Sequence, residues 1–166
     1  MLPLSSESFT QQDYQPSHES RRHGFYIANL GLLIPTALTC ELTEKFQICK
    51  IANTPDWFAG MTNLRGNIAP IFDLATLFGI AVQKKQSKGN SLTRKLLFIK
   101  VNNDWAGFYS DGLPTRVILK DSDRINGLDS VPRRLKPFIT HCYQQKVIWL
   151  DCDIENLLIW IRAQFE

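Results

Sequence analysis

The sequence predicts a mainly β protein, a barrel or a sandwich, finished by one C-terminal helix. Short apolar runs recur from Gly24 to Leu150 with turn residues between them. The run Phe46-Gln47-Ile48-Cys49-Lys50-Ile51 alternates apolar and polar with period two, as a half-buried strand does. Ile154, Leu157, Leu158, Ile161 and Phe165 fall on one helical face behind Asp153, a good N-cap. At 166 residues the chain suits one domain with a core of its own.

Met1 to His23 is rich in Ser, Gln, Glu and His, with little to bury, and reads as a disordered tail dispensable for folding. From Gly24 the character changes, so residues 24–164 are taken as the folded domain. Gly24 to Leu30 reads as a strand, and Gly31 to Pro35 as a second apolar run after a turn at Asn29 to Gly31. Thr39 to Leu42 and Phe46 to Ile51 continue the pattern. Gln83 to Lys95 is polar and basic, a loop between two halves. Strands follow at Leu96 to Val101, Trp105 to Tyr109 and Pro114 to Leu119, with Asn102-Asn103-Asp104 as a hairpin connector. Asp121 to Pro137 reads as irregular, with His141 in a loop beyond it. Lys146 to Leu150 reads as the last strand.

Composition excludes several classes. The net charge of +3 is too mild to imply nucleic acid by itself. No run approaches the ~20 apolar residues of a membrane-spanning helix, and Met1 to Arg22 lacks the apolar core of a signal peptide. A cytoplasmic chain with reduced thiols is therefore expected. Cys40, Cys49, Cys142 and Cys152 contain no CxxC pair, and His141-Cys142 has no second ligand pair, so neither metal nor cofactor is expected. Walker, GxGxxG, GxSxG and HExxH motifs are missing. Asp73, Asp111, Asp151 and Asp153 sit where strands end or helices begin, which capping explains better than acid–base chemistry. The basic residues Lys84 to Lys95 with nearby aromatics allow a second reading, a small barrel that binds single-stranded nucleic acid.

One stretch, Lys50 to Leu74, carries the most information. Thr54-Pro55-Asp56 opens a turn, because proline fixes its own φ and biases Thr54 toward extended backbone. Leu64-Arg65-Gly66-Asn67 is a second turn, with Gly66 free to take positive φ. Ile68 to Phe72 is a strand whose Pro70 cannot donate to a ladder, which suggests an edge or a bulge. Leu74 to Phe78 is a short helical turn after Asp73, closed by Gly79.

Within that stretch, Ile51-Ala52-Asn53-Thr54-Pro55, Asn63-Leu64-Arg65-Gly66 and Pro70-Ile71-Phe72-Asp73-Leu74 come in an order and spacing that resemble the signature of the CheW family. Those proteins are small adaptors that join chemoreceptors to a histidine kinase and catalyse nothing themselves. Trp105 to Asp111 and Lys146 to Leu158 are similar to later parts of the family pattern. Ala75, Ser110 and Thr39 depart from it, standing where an arginine and two apolar residues are usual.

The resemblance covers about Gly24 to Trp160. It implies two small five-stranded SH3-like β-barrels sharing a core, with a C-terminal helix. It implies two partners, the CheA-like regulatory domain of a histidine kinase and the tip of a methyl-accepting chemoreceptor, with membrane arrays reached through those partners and no direct membrane insertion. Arg65, with Asn63 and Gly66 in its turn, falls in the family's partner-contact region. Glu41 and Leu42 occupy its acidic–apolar pair near the receptor-binding surface. Pro55-Asp56-Trp57 is similar to the PilI-like branch that serves type IV pili; a flagellar adaptor is the alternative. A small enzyme is the reading from another class.

Overall fold

The computed structural model describes residues 18–81 and 94–165. Among these residues eleven strands form two sheets. The chain runs β1 (Glu19–Ile27), β2 (Leu30–Pro35), β3 (Thr39–Thr43), β4 (Phe58–Leu64), β5 (Asn67–Phe72) and helix α1 (Leu74–Phe78). It continues through β6 (Lys95–Val101), β7 (Asp104–Ser110), β8 (Thr115–Lys120), β9 (Arg124–Ile125), β10 (Ile139–Gln144), β11 (Ile148–Cys152) and α2 (Ile154–Ala163). Sheet A has the order β8-β1-β2-β11-β10-β9, and sheet B the order β3-β6-β7-β5-β4. The mainly β expectation with a C-terminal helix holds.

The two sheets repeat one plan. In each, two hairpins are joined by a parallel contact between their second strands: β2 with β11 in sheet A, β5 with β7 in sheet B. An Asp-capped helix follows β5 and another follows β11. Asp73 accepts the Thr76 N–H at 3.1 Å, and Asp153 accepts the Asn156 N–H at 3.1 Å. Each half of the chain places its first hairpin in one sheet and its later hairpin in the other.

This exchange of strands explains the core. Phe25, Leu32 and Ile34 of sheet A meet Phe72, Leu97 and Phe108 of sheet B in one shared cluster, which also takes in Leu74 and Leu77 of α1 and Leu157 and Ile161 of α2. Each sheet also curls around a smaller cluster: Leu33, Val117, Leu119 and Trp149 in sheet A, and Leu64, Ala69, Ile71, Leu96 and Phe98 in sheet B.

Several expectations change. Glu19 to His23, assigned to the tail, are strand residues: Glu19 pairs with Lys120, Arg21 with Ile118 and His23 with both Arg116 and Ile34. Residues 1–17 lie outside the described residues, as does the predicted loop from Gln83 as far as residue 93. Lys95 belongs to β6. The turn after β1 is Ala28-Asn29, one residue earlier than expected, and Gly31 lies inside β2. Phe46 to Ile51 is not a ladder strand. It touches β4 through a single bridge, Cys49 to Met61, although Phe46 and Ile48 do pack inward. The expected irregular region contains β9, and His141 lies in a strand, β10, not in a loop.

Pro70 is accommodated without lying on an edge strand. Since Leu64 and Asn67 close a two-residue hairpin, alternate residues of β5 turn their backbone toward β4, and Pro70 is not among them. Its missing N–H faces the β7 side, where pairing begins only at Ile71.

Candidate functional site

Of the predicted contact residues, Arg65, Asn63, Gly66 and Glu41 come together at one end of sheet B, at the tip of the β4–β5 hairpin. The turn is Arg65-Gly66, with φ of 51° and 87°. Two successive positive φ values match the twist of a tight hairpin, and glycine meets this without strain while arginine does not. The tip is held locally. Asn63 Oδ1 accepts the Gly66 N–H at 2.6 Å, and the Asn67 side-chain amide donates to the Leu64 carbonyl at 3.3 Å. Buried Leu64 anchors the tip to the core of sheet B. Asn63 thus shapes the tip through its carbonyl oxygen.

Arg65 and Glu41 come together. Arg65 Nη2 lies 2.9 Å from Glu41 Oε1, with the arginine side chain 79% exposed and the glutamate 24%. β3 and β4 are the two outer strands of sheet B, so the pair spans the gap left as the sheet curls. The segment between them helps close that gap. Cys49 and Met61 exchange backbone hydrogen bonds of 2.8 and 2.9 Å, and Thr62 Oγ1 donates to the Gln47 carbonyl at 2.6 Å. Gly60 permits this approach, since a Cβ there would lie 2.3 Å from the Cys49 carbonyl oxygen.

Glu41 and Leu42 do not form one surface pair. Successive strand residues point to opposite faces. Glu41 lies across from Phe98 on the face of the sheet-B cluster, whereas Leu42 lies across from Leu97 and packs half-buried against the shared core. The apolar surface beside Arg65 comes instead from Ile68, which the sequence reading passed over. It lies opposite Asn63 and is 64% exposed. An isoleucine in a β-run looks like core; only the ladder register shows that it points outward. Beside it an open groove of ≈ 880 Å³ is lined by Phe46, Ile48, Met61, Asn63 and Ile68, with Glu44 and Lys45 at its rim.

The other chemistry-bearing groups have structural duties. Asp73 and Asp153 cap helices. Asp111 accepts the Ala28 N–H at 2.7 Å, and Asp151 lies 3.6 Å from Arg22 Nε. Arg94 grips Asp73 with both guanidinium amines, at 2.9 and 3.3 Å. Burial pushes the Asp73 carboxyl up, but hydrogen bonds from Arg94 and the Thr76 amide outweigh it and hold the pKa below the ordinary aspartate value of 3.8. Burial pushes the thiols up as well, with nothing to offset it, Cys40 to about 11 and Cys152 to about 12, where they are neutral and poor nucleophiles. Among the described residues no group of three or more His, Cys, Asp or Glu is placed to hold a metal ion, and no helix is long and apolar enough to cross a membrane. Of the basic run Lys84 to Lys95, the two described cations are both paired, Arg94 with Asp73 and Lys95 with Glu44.

Residues 24–161 match the family model described as a CheW-like domain. The "Chemotaxis protein CheW" of Helicobacter pylori is 31% identical over 112 residues, which cover 68% of this chain and 62% of that protein. The protein of the same name from Klebsiella aerogenes is 59% identical over 38 residues, 23% of each chain. Among solved structures, the scaffolding protein TtCheW from Thermoanaerobacter tengcongensis superposes with a TM-score of 0.63 at 18% identity, over 89% of this chain and 90% of that one. That likeness extends to the fold.

Proposed function

The chain belongs to the CheW family, and from that premise we propose that it is a non-catalytic adaptor that couples chemoreceptors to a histidine kinase in a chemosensory array. One partner is the CheA-like regulatory domain of the kinase, the other the tip of a methyl-accepting chemoreceptor. The protein works in the cytoplasm and reaches membrane arrays through these partners, with neither nucleic acid nor lipid as a ligand. The observation that carries the reading is the β4–β5 tip. It is rigidly held by Asn63 and Gly66, presents the exposed cation Arg65, and sets the exposed Ile68 beside an open groove. A contact with an apolar centre and a charged rim is how modest protein interfaces are built. Many such contacts in one array reinforce each other through effective concentration.

Within the family, the Pro55-Asp56-Trp57 run supports the PilI-like branch and therefore control of type IV pilus motility. Trp57 packs edge-on against Phe165 at 5.1 Å, beside Phe72 at 6.3 Å. The deciding measurement is calorimetric titration of the purified protein with the regulatory domain of the cognate kinase. Binding at tens of micromolar or tighter is expected. A folded protein that shows no heat of binding overturns the adaptor reading. Loss of flagellar chemotaxis with intact twitching, on deleting the gene, overturns the pilus assignment alone.

A further inference from the structure

The two sheets meet mostly through apolar surface, which attracts strongly but without direction. One polar cluster crosses the seam. Asp111 follows β7 of sheet B, yet its N–H donates to the Tyr26 carbonyl at 2.9 Å and its Oδ2 accepts the Ala28 N–H at 2.7 Å. It therefore holds the β1–β2 turn of sheet A. Ala28 takes φ of 54° in that turn, a strained value for a residue with a Cβ. The bond from Asp111 braces that turn, which the Ile27–Leu30 pairing closes.

Arg94 stands behind Asp111. Its Nε lies 3.5 Å from Asp111 Oδ1, its two terminal nitrogens grip Asp73, and its guanidinium stacks over the Tyr109 ring at 4.3 Å. Buried Nε finds no hydrogen-bond partner among the described residues, so the Asp111 carboxylate is the charge that faces it. Asp73 in turn donates its N–H to the Trp57 carbonyl at 2.7 Å and caps α1. One side chain thus links the β1–β2 turn, the end of β7, the start of α1 and the base of β4.

We propose that Arg94 is a clasp between the two sheets, a positioning residue that sets how sheet A sits on sheet B. With the guanidinium in place, Asp111 is held toward the β1–β2 turn and the seam has one polar arrangement. Without it, Asp73 and Asp111 face each other with no cation between them, and Asp111 turns away toward water. The β1–β2 turn then opens while each sheet keeps its own ladder. A directional polar group that selects one packing among several apolar ones is the recognised use of such buried networks.

Amide hydrogen exchange on the full chain tests this, comparing wild type with Arg94→Met. The Ala28 and Asp111 amides are expected to exchange at least ten times faster in the variant, and to accelerate by a larger factor than Leu32 and Ile99, which lie centrally in their sheets and read the loss of global stability. Unchanged rates at Ala28 and Asp111 overturn the proposal. So does a uniform acceleration at all four, which is a loss of global stability and not a local opening. If Arg94→Met fails to fold, Asp111→Asn serves instead, since it keeps an acceptor oxygen but removes the charge that faces Arg94. Faster exchange at Ala28 alone supports the clasp, and no change there overturns it.

Discussion

Arg65–Glu41 and Arg94–Asp73 share a closest approach of 2.9 Å, yet they are different objects. Arg65 stands 79% exposed on a hairpin tip and meets one carboxylate oxygen. Arg94 is 35% exposed, grips its carboxylate with two nitrogens, stacks on Tyr109 and faces a second aspartate. Water screens the first pair, so it contributes about 0–1 kcal/mol and is easily traded for a partner's carboxylate. The second is held from several sides in a drier setting and resists exchange. Distance alone does not separate an ion pair free to exchange partners from one that builds; its surroundings do.

A third pair sharpens the contrast. Arg22 lies 3.6 Å from Asp151, which is only 13% exposed. A chain that starts at Gly24 loses the first five residues of β1, Arg22 among them. The carboxylate left with only His141, 3.9 Å away, and the missing ladder bonds should together cost about 3–5 kcal/mol, read as a lower midpoint in urea denaturation. An unchanged midpoint would return Glu19 to His23 to the tail.

Arg65→Glu comes next. It should weaken kinase-domain or receptor-fragment binding by about 2–5 kcal/mol, because attraction becomes repulsion. Stability should move within roughly ±0.5 kcal/mol, since Asn63 and Gly66 hold the turn. Unfolding would place Arg65 with the builders; unchanged affinities for both partners would make it a solvated turn residue.

Arg94→Met should cost about 2 kcal/mol at pH 7, below the range for a fully buried pair. The Asp73 carboxyl titrates below 3.8 in the folded protein, so its contribution is complete above that value and fades as pH falls through the lowered native one. The stability gap between wild type and variant should therefore narrow below about pH 4, and a gap independent of pH would show that packing, not charge, is lost. Smallest is Leu42→Ala, about 1 kcal/mol of stability, since half-buried methylenes leave the shared core. If it changes binding with no stability loss, Leu42 belongs to the contact surface after all.

Local chemistry was the legible part of this fold. The Leu64 to Asn67 and Asn102-Asn103 turns, the Asp73 and Asp153 caps, and Gly79 at φ 65° closing α1 each depend on a few neighbouring residues. The outcomes that were hidden depend on distant ones. β10 reads Ile-Thr-His-Cys-Tyr-Gln, too polar to announce a strand, and is held by its pairing with β11. Phe46 to Ile51 has the right alternation, yet only Cys49 finds a ladder partner, because the chain peels away from β4. The site divides the same way. Arg65, Asn63 and Gly66 were visible in one motif, but the Glu41 contact, the inward turn of Leu42 and the exposure of Ile68 follow from sheet register.

The interleaving of the halves also bears on how the protein is made. β2 is flanked by β1 and by β11, and β1 in turn by β8. The strands translated first therefore wait for some of the last. Until β11 leaves the ribosome, the Leu30 to Ile34 run has one free backbone edge and an uncovered apolar face, the combination that invites a neighbouring nascent chain to pair with it. Joining segments so far apart along the chain also makes closure slow. Sheet A is complete only once β11 is available, and until then its earliest-made strands are its vulnerable part.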